Sequence, residues 1–384
     1  MIFQTPAPDA GELAVHRAVD QLREKLAYAT RSRRWVGLLS RVTMARVIQG
    51  SNSIEGFNVS VQDALAAVDG DQPLDASGDT WAAILGDRNA MAYVLQLADD
   101  EHFRYSPDLI RSLHFTMTGY DLAKRPGRWR SADIFVQNEA AGERVYEGPD
   151  GDLAPGLVDE LVSELNGNSH DPVMVRAAMA HLNLVMIHPF SDGNGRMARC
   201  LQSLVLARRG IVSPEFLSIE EYLGRNRQSY FEILASVGAG RWNPDRDARP
   251  WVRFCLTAHY RQAMTLLRRS REYHRLFDAV DELIDRFALA PRVFSALADA
   301  AQGFRVVNAR YRSEAEISQS VASRDLAHLC GLGLLDAHGA RRGRFYSAAP
   351  LVIELRQKTR EPRLPISDPF SLDPGDLEQL TLPG

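Results

Sequence analysis

The sequence predicts a mainly α-helical protein with one small β-hairpin on the helical body and a second small module near the C-terminus. Three observations predict this. Apolar residues recur at spacings of three and four over most of the 384 residues. Paired β-favouring runs occur at only two places: Ile134, Phe135 and Val136 with Arg144, Val145 and Tyr146, and Leu334 and Leu335 with Phe345 and Tyr346. The composition is that of a globular chain, 45% hydrophobic and 24% charged, which excludes collagen-like, mucin-like and wholly disordered classes.

In order, the spacing predicts helices over about 9–30, 35–49, 81–97, 108–118, 157–166, 172–187, 196–209, 219–237 and 250–280. The first hairpin falls between the fourth and fifth of these. Two isolated strands are marginal alone, so this hairpin is expected to be covered or functional. Near residue 290 the order becomes helix, short helix (312–317), short helix (320–332), hairpin. The expected domains are 1–80, 81–285, 286–350 and a tail over 351–384, whose final 24 residues, from Glu361, hold five prolines and are expected to be poorly ordered.

Charge and cysteine content narrow the function. Lys and Arg number 45 against 49 Asp and Glu, a net charge of -4. A chain that coats nucleic acid with its whole surface should be basic, so only a local basic patch remains for that role. Cys200, Cys255 and Cys330 are far apart and form no CxxC pair, so neither a disulfide framework nor a thiolate zinc site is legible. The N-terminus lacks a basic start followed by an apolar stretch, and no run of about 18 apolar residues occurs. A cytoplasmic protein without a membrane span is expected.

The stretch from His188 to Arg199, HPFSDGNGRMAR, concentrates the chemistry. Pro189 ends the preceding helix and leaves His188 at a helix–loop junction. Gly193 and Gly195 permit close backbone approach. A glycine-bearing loop that opens a helix presents free N–H groups and a favourable dipole to an anion, above all phosphate. Arg196 and Arg199 add charge that grips phosphate oxygens. Asp192 is a hard oxygen donor suited to a phosphate-bound Mg²⁺. His188 can act as a general base near neutral pH. Phe190 reads as an anchor into the core. A base, a metal carboxylate and a phosphate cradle within twelve residues suit attack by a hydroxyl on phosphorus.

This stretch resembles the signature of the Fic family, HxFx(D/E)GNGRxxR, at every defined position. The resemblance implies a Fic-type helical bundle over about 80–240. It also implies transfer of AMP from ATP to a Ser, Thr or Tyr hydroxyl of a protein, with pyrophosphate leaving. His188 is then the base and Asp192 the Mg²⁺ ligand. Gly193, Asn194, Gly195 and Arg196 form the anion hole, and Arg199 reaches the γ-phosphate. Gly195 argues against the phosphorylating branch, which carries lysine there. The segment from Pro126 to Arg130, with the hairpin after it, resembles the family's flap, which aligns a target segment by strand addition.

Upstream lies Ser51-Asn52-Ser53-Ile54-Glu55-Gly56. Glu before Gly at a helix end carries no assignment alone. It resembles the family's inhibitory motif, (S/T)xxxE(G/N). In that resemblance Ser51 and Glu55 are the inhibitory residues, and the Glu55 carboxylate forms a charge-assisted bidentate pair with Arg199 that denies it to the γ-phosphate. Asn226 and Tyr230 lie on the helix after the motif, where a similar segment lines the family's adenine pocket; an amphipathic helix with buried aromatics explains them equally well. His114, His170 and His181 receive no role. Residues 290–349 resemble the winged-helix domains appended to Fic proteins, with 320–332 as recognition helix and Arg341, Arg342 and Arg344 on the wing. DNA is thus a candidate partner beside ATP and a protein substrate, which could be the chain itself, and a homodimer is compatible with the sequence. Two rival readings stay open: a DNA-binding regulator whose Fic domain senses nucleotide, and an enzyme that mainly removes AMP.

Overall fold

A computed structural model describes residues 1–30, 36–138, 143–209, 218–340, 343–373, 375 and 377. The chain forms two compact units. One comprises residues 1–28, 40–264 and 366–384; the other comprises 29–39 and 265–365.

The first unit begins with α1 (Ala10–Thr30), α2 (Val36–Ile54), α3 (Val61–Asp69), α4 (Gly78–Leu97) and α5 (Pro107–Thr118). The hairpin follows as β1 (Phe135–Asn138) and β2 (Glu143–Glu147). Then come α6 (Ala154–Asn166), α7 (Val173–Ile187), α8 (Asn194–Ala207), α9 (Glu220–Arg225), α10 (Arg227–Gly238), β3 (Gly240–Arg241) and the start of α11 (Arg249–Arg286). Local chemistry sets the ends. Ser60 and Ser106 accept the N–H of the residue three positions on, capping α3 and α5, and Pro107 supplies the preset φ of a first helical turn.

Helix α7 is buried on nearly every face from Met174 to Ile187, the pattern of a central helix rather than a surface one. It packs against α8, whose Met197, Leu201, Leu204 and Val205 are fully covered. Trp251 of α11 has no exposed surface, and its indole N–H donates to the Ala178 carbonyl at 2.7 Å. The hairpin is held by Tyr146, which donates its hydroxyl to the Met186 carbonyl at 2.8 Å near the end of α7. Strand β2 also pairs in parallel with β3, a short strand the sequence did not announce, so the order is β1-β2-β3 with β1 at the edge. The expected single helix over 219–237 is two helices, because Asn226 leaves the helical region at φ -119°, ψ 38°.

Helix α2 approaches α9 through glycine. A Cβ on Gly50 would lie 2.4 Å from the Glu220 carbonyl oxygen, and one on Gly224 would lie 2.8 Å from the Gly50 Cα. Only the missing side chains let the two backbones come so close.

The second unit holds the rest of α11, then α12 (Phe294–Gln302), α13 (Asn308–Glu314), α14 (Gln319–Gly331), β4 (Leu335–His338), β5 (Phe345–Ala348) and α15 (Pro350–Thr359). Strands β4 and β5 are antiparallel, and Val306 adds a bridge to Tyr346. Val280, Leu297, Leu326, Leu329, Leu334 and Val352 share its core. Asp325 ties the unit together: it pairs with Arg292 at 2.7 and 2.9 Å and accepts the Tyr311 hydroxyl at 2.8 Å. Of the expected wing cations, Arg341 and Arg342 lie outside the described residues, while Arg344 stacks over Tyr346. The expected tail from residue 351 needs correction. Residues 350–359 form a helix because Pro350 starts it and Leu351, Val352 and Leu355 pack on the core.

Gly50→Ala is expected to cost about 1–3 kcal/mol, since the added methyl meets backbone that cannot step aside. Urea unfolding of the variant measures this; an unchanged midpoint would mean that α2 does not depend on the close approach.

Candidate active site

The turn between α7 and α8 builds the site. His188 follows the last residue of α7 in the left-handed region, at φ 52°, ψ 56°. For a residue other than glycine that conformation costs about 1 kcal/mol and needs outside support. The support is visible. The His188 N–H donates to the Leu184 carbonyl at 3.0 Å, and the His188 carbonyl accepts from Arg130 Nε at 2.8 Å. The ring contributes too, since Nδ1 lies 3.0 Å from the Val185 carbonyl. A carbonyl only accepts, so Nδ1 carries the proton and the lone pair sits on Nε2. Burial pushes the imidazole pKa below its ordinary 6.5, with Arg130 adding to the effect, so the neutral form holds at pH 7.

Phe190 is fully buried, as the sequence predicts for an anchor, and stacks between His114 and Trp129. Asn194 closes the turn on itself: its Oδ1 accepts the Phe190 N–H at 2.9 Å and its Nδ2 donates to the Phe190 carbonyl at 2.8 Å. Gly193 takes φ +74° at the helix start. The first intrahelical bond of α8 runs from the Met197 N–H to the Gly193 carbonyl. The N–H groups of Asn194, Gly195 and Arg196 therefore precede the ladder and point out of the helix end.

Two guanidinium groups stand beside that helix end, each with 1% of its surface exposed. Arg196 lies over the Phe57 ring, and its Nε and Nη1 have no partner among the described residues. Arg199 donates from Nε to the Ser51 hydroxyl at 3.1 Å and from Nη2 to the Ser51 carbonyl at 3.1 Å and to Glu55 Oε1 at 2.8 Å. Its Nη1 is left over. The Glu55 contact thus uses one carboxylate oxygen and one guanidinium nitrogen, not the bidentate pair expected. Burial alone would lower the Arg199 pKa, but the charge and hydrogen bond of Glu55, together with Tyr230 and Asp87, outweigh it and the group is held more firmly protonated. Buried donors without partners are rare in folded proteins and call for an anion.

Residues 104–206 match the Fic/DOC family. The chain carries a Fic domain. It is similar to the protein adenylyltransferase Fic of Nematostella vectensis, 28% identical over 217 residues, which cover 54% of this chain and 45% of the relative. The protein adenylyltransferase Fic of Aedes aegypti is 30% identical over 241 residues, covering 62% of this chain and 44% of the relative. The chain thus spans less than half the length of these relatives. A solved Fic family protein from Desulfovibrio desulfuricans aligns over 91% of this chain and 99% of its own, with a TM-score of 0.57 and 18% identity. A Fic domain containing signaling protein from Bacteroides thetaiotaomicron aligns over 66% of this chain and 96% of its own, with a TM-score of 0.52 and 23% identity. These two establish the likeness of fold.

Within the Fic domain, the structure brings His188, Asp192, Gly193, Gly195, Arg196 and Arg199 to one turn and one helix end, and from outside residues 104–206 it sets Ser51 and Glu55 against Arg199. Gly195 matters sterically: a Cβ there would lie 2.5 Å from Glu55 Oε1. Of the two readings the sequence left open for Tyr230, the structure has the buried aromatic. It is 1% exposed, so no base can stack on it. His181 explains its place. Gln202 Oε1 lies 2.6 Å from His181 Nδ1, which leaves Nε2 to accept the Tyr230 hydroxyl at 3.0 Å. The exposed ring on α10 is Phe231, with Arg227 over its face. Asn226 donates to the Tyr222 carbonyl at 2.8 Å at the break between α9 and α10.

Four further residues of the site escaped sequence reasoning. Arg130 is buried and clamps the carbonyls of His188, Ala132 and Pro149 at 2.8, 2.8 and 2.5 Å. Lys124 places its Nζ 2.8 Å from Asp192 Oδ2. Burial would raise the Asp192 pKa, but Lys124, the Gly193 N–H and Arg196 outweigh it and hold the carboxyl ionised. Asp87 accepts from Asn52 Nδ2 at 2.8 Å, and burial raises its pKa to about 6 despite Arg196 and Arg199. Glu220 accepts the hydroxyls of Ser203 and Ser218, and burial raises its pKa to about 7. Only Asp87 left a trace in sequence, as an acid on the stripe of Ile84, Met91 and Val94. A cleft lined by Gln4, Thr5, Glu160, Ser163, Glu164 and Asp171 shares no residue with the site, and its carboxylates repel phosphate.

The raised Glu220 pKa makes a stability prediction. A carboxyl with a higher pKa folded than unfolded stabilises the fold below about 4.5, and that contribution is lost as pH rises through about 7. Glu220→Gln removes the loss. Denaturant midpoints should therefore show the variant gaining on wild type between pH 5 and pH 8. A constant difference across that range would place Glu220 ionised throughout.

Proposed function

We propose that this chain is a protein adenylyltransferase held in check by its own α2. The observation that carries the reading is the pair of buried guanidinium groups with unpartnered N–H donors beside the open start of α8, within one turn of a histidine whose free lone pair is on Nε2. The names of the relatives in Nematostella and Aedes support it.

The triphosphate of ATP would lie on the N–H groups of Asn194, Gly195 and Arg196, with Arg196 and Arg199 on its oxygens. Among the described residues no three His, Cys, Asp or Glu converge as a metal cage. A metal at Asp192 would take its other oxygens from phosphate and water, a donor set that suits Mg²⁺. Held there by Asp192, Mg²⁺ would neutralise charge on the bound phosphates. His188 Nε2 accepts the proton of a Ser, Thr or Tyr hydroxyl. That oxygen forms its bond to the α-phosphorus, and the bond from the α-phosphorus to the bridging oxygen breaks, releasing pyrophosphate. Strand β1 is the sheet edge on the chain's own hairpin and offers its outer side to an extended target segment. Phe231 replaces Tyr230 as the ring available to the nucleoside.

Glu55 would inhibit by occupying the Arg199 nitrogen that a γ-phosphate needs. Seating depends on the Gly50 contact and on Asn52, which bridges the end of α2 to Asp87. We read residues 286–350, extended by α15, as a winged helix-turn-helix, supported by the order of α12 to β5 and by the Val306 bridge. Arg324 and Ser323 are exposed on α14, where a recognition helix would meet DNA. No described helix is long and apolar enough to cross a membrane. Three unpaired cysteines favour a reducing, cytoplasmic setting.

Intact-mass measurement with ATP and Mg²⁺ tests the reading. Glu55→Gly should gain AMP at least tenfold faster than wild type, the factor that about 1.4 kcal/mol of lost competition produces. Glu55→Gly/His188→Ala should gain none. Equal rates in wild type and Glu55→Gly would remove the inhibition; AMP transfer by the double variant would remove the base.

The pH profile is a separate check. An ordinary imidazole is half protonated at 6.5, whereas burial lowers the His188 pKa below that value. The rate of AMP transfer by Glu55→Gly should therefore fall to half its pH 8 value only below pH 6.5. A rate halved at pH 6.5 would contradict a buried neutral base.

A further inference from the structure

His114 lies on α5, outside the motif, and has no exposed surface. Its ring is flush against Phe190, with centroids 3.7 Å apart and planes 2° from parallel. Nε2 lies 2.8 Å from the carbonyl oxygen of Asp192. That oxygen only accepts, so Nε2 carries a proton. Nδ1 lies 2.9 Å from the Gly127 N–H. That group only donates, so Nδ1 carries a lone pair. One state satisfies both, the neutral ring protonated at Nε2. The ring also fills the space beside Gly193, where a Cβ would come 3.3 Å from Nε2 and 2.8 Å from Thr118 Cγ2.

The two partners belong to different parts of the site. Asp192 sits on the turn between α7 and α8. Gly127, at φ +70°, opens the segment that leads through Arg130 to β1, and the Arg130 N–H donates to the Pro189 carbonyl at 2.9 Å. We infer that His114 is a positioning residue that fixes the Asp192 backbone, and so the carboxylate, while pinning the entry of the hairpin to the same turn. The metal-binding carboxylate and the target-aligning strand are thereby set in one frame by a single side chain. This rests on the roles given above to Asp192 and β1. Groups that orient a metal ligand typically change metal affinity 10–100-fold when lost.

Two amides separate the two bonds. In His114→Asn the side-chain oxygen falls near the Nδ1 position and keeps the Gly127 bond, but the side chain is too short for Asp192. In His114→Gln the amide nitrogen reaches towards Asp192 and the Gly127 bond is lost. Each is made in a His188→Ala background, so that no transfer occurs. The readouts are Mn²⁺ affinity in the presence of ATP, by calorimetry, and hydrogen exchange of the Gly127 amide. His114→Asn should weaken Mn²⁺ about tenfold and leave exchange within about twofold. His114→Gln should leave Mn²⁺ within about twofold and speed exchange at least about tenfold. Variants that change both readouts alike, or neither, overturn the inference. Imidazole ¹⁵N shifts of the wild type keep it testable if both variants unfold: His114 must be the neutral Nε2–H form at pH 7, and the other tautomer or the imidazolium overturns it. If wild type binds no Mn²⁺ with ATP, the metal reading fails, and exchange with the ¹⁵N shifts decides His114 alone. If the amides split as expected while Glu55→Gly transfers no AMP, His114 positions the turn and the proposed reaction is wrong.

Discussion

A guanidinium with almost no exposed surface has to be answered by charge and acceptors within reach, and Arg199 makes that demand on most of the first unit. Its answers come from elements far apart in sequence. Ser51 and Glu55 reach it from α2. Asp87 of α4 and Tyr230 of α10 both feel its charge. Tyr230 is fixed in turn by His181 of α7, and His181 by Gln202 of α8. Removing one partner of such a cation leaves charge uncompensated in a place water does not reach, so the partners constrain one another. The polar interior here is a connected network around one cation rather than scattered pairs.

The turn that carries His188 shows the complementary constraint. Its backbone is unfavourable locally, and nothing within its own six residues would hold it. The bonds that do hold it come from Arg130 and from the α7 carbonyls of Leu184 and Val185. The side of the turn away from His188 is held by Phe190 in the core and by the Asn194 side chain bonded to the Phe190 backbone. The backbone that carries the base thus depends on an arginine 58 positions earlier in the chain. Preorganisation of this kind means that no ordering cost falls on the reacting groups when a substrate arrives.

How much of this was legible follows from the range of each interaction. The motif turn was legible because its parts are contiguous: proline, glycines, arginines and histidine each restrict the backbone or carry charge within a few residues. The helices were legible where one face is buried, and the hairpin where β-favouring runs flank a polar turn. Lys124, Arg130 and His114 were not, because nothing local separates a lysine on a 3₁₀ turn, or an arginine after a tryptophan, from a solvated surface residue. Their partners at the turn between α7 and α8 lie 57 to 78 positions away. Tyr230 was left between two readings for a related reason. An aromatic on an amphipathic helix can face the ligand or the core, and the buried His181 acceptor that decides it lies 49 positions before it. The helix at 350–359 was missed because ten residues before the proline-bearing segment give too short a pattern, and it is Val352 packing on the core that defines it.

The proposed inhibition and the proposed chemistry share one nitrogen, and that has a quantitative consequence. Glu55 and a γ-phosphate cannot both sit on Arg199, so each acts as a competitor of the other. A ligand that binds only the competent state sees its affinity divided by the fraction of molecules in that state. Tightening the seat of α2, through Gly50 or Asn52, therefore weakens productive nucleotide binding by the same factor, without touching any residue that meets the nucleotide. Because coupling free energies are reciprocal, productively bound nucleotide must loosen α2 to the same extent. The Glu55 carboxylate is partly exposed and makes one contact, whereas Asn52 and Gly50 are buried against α4 and α9. The weak link is thus the last turn of the helix and the firm one is its seat.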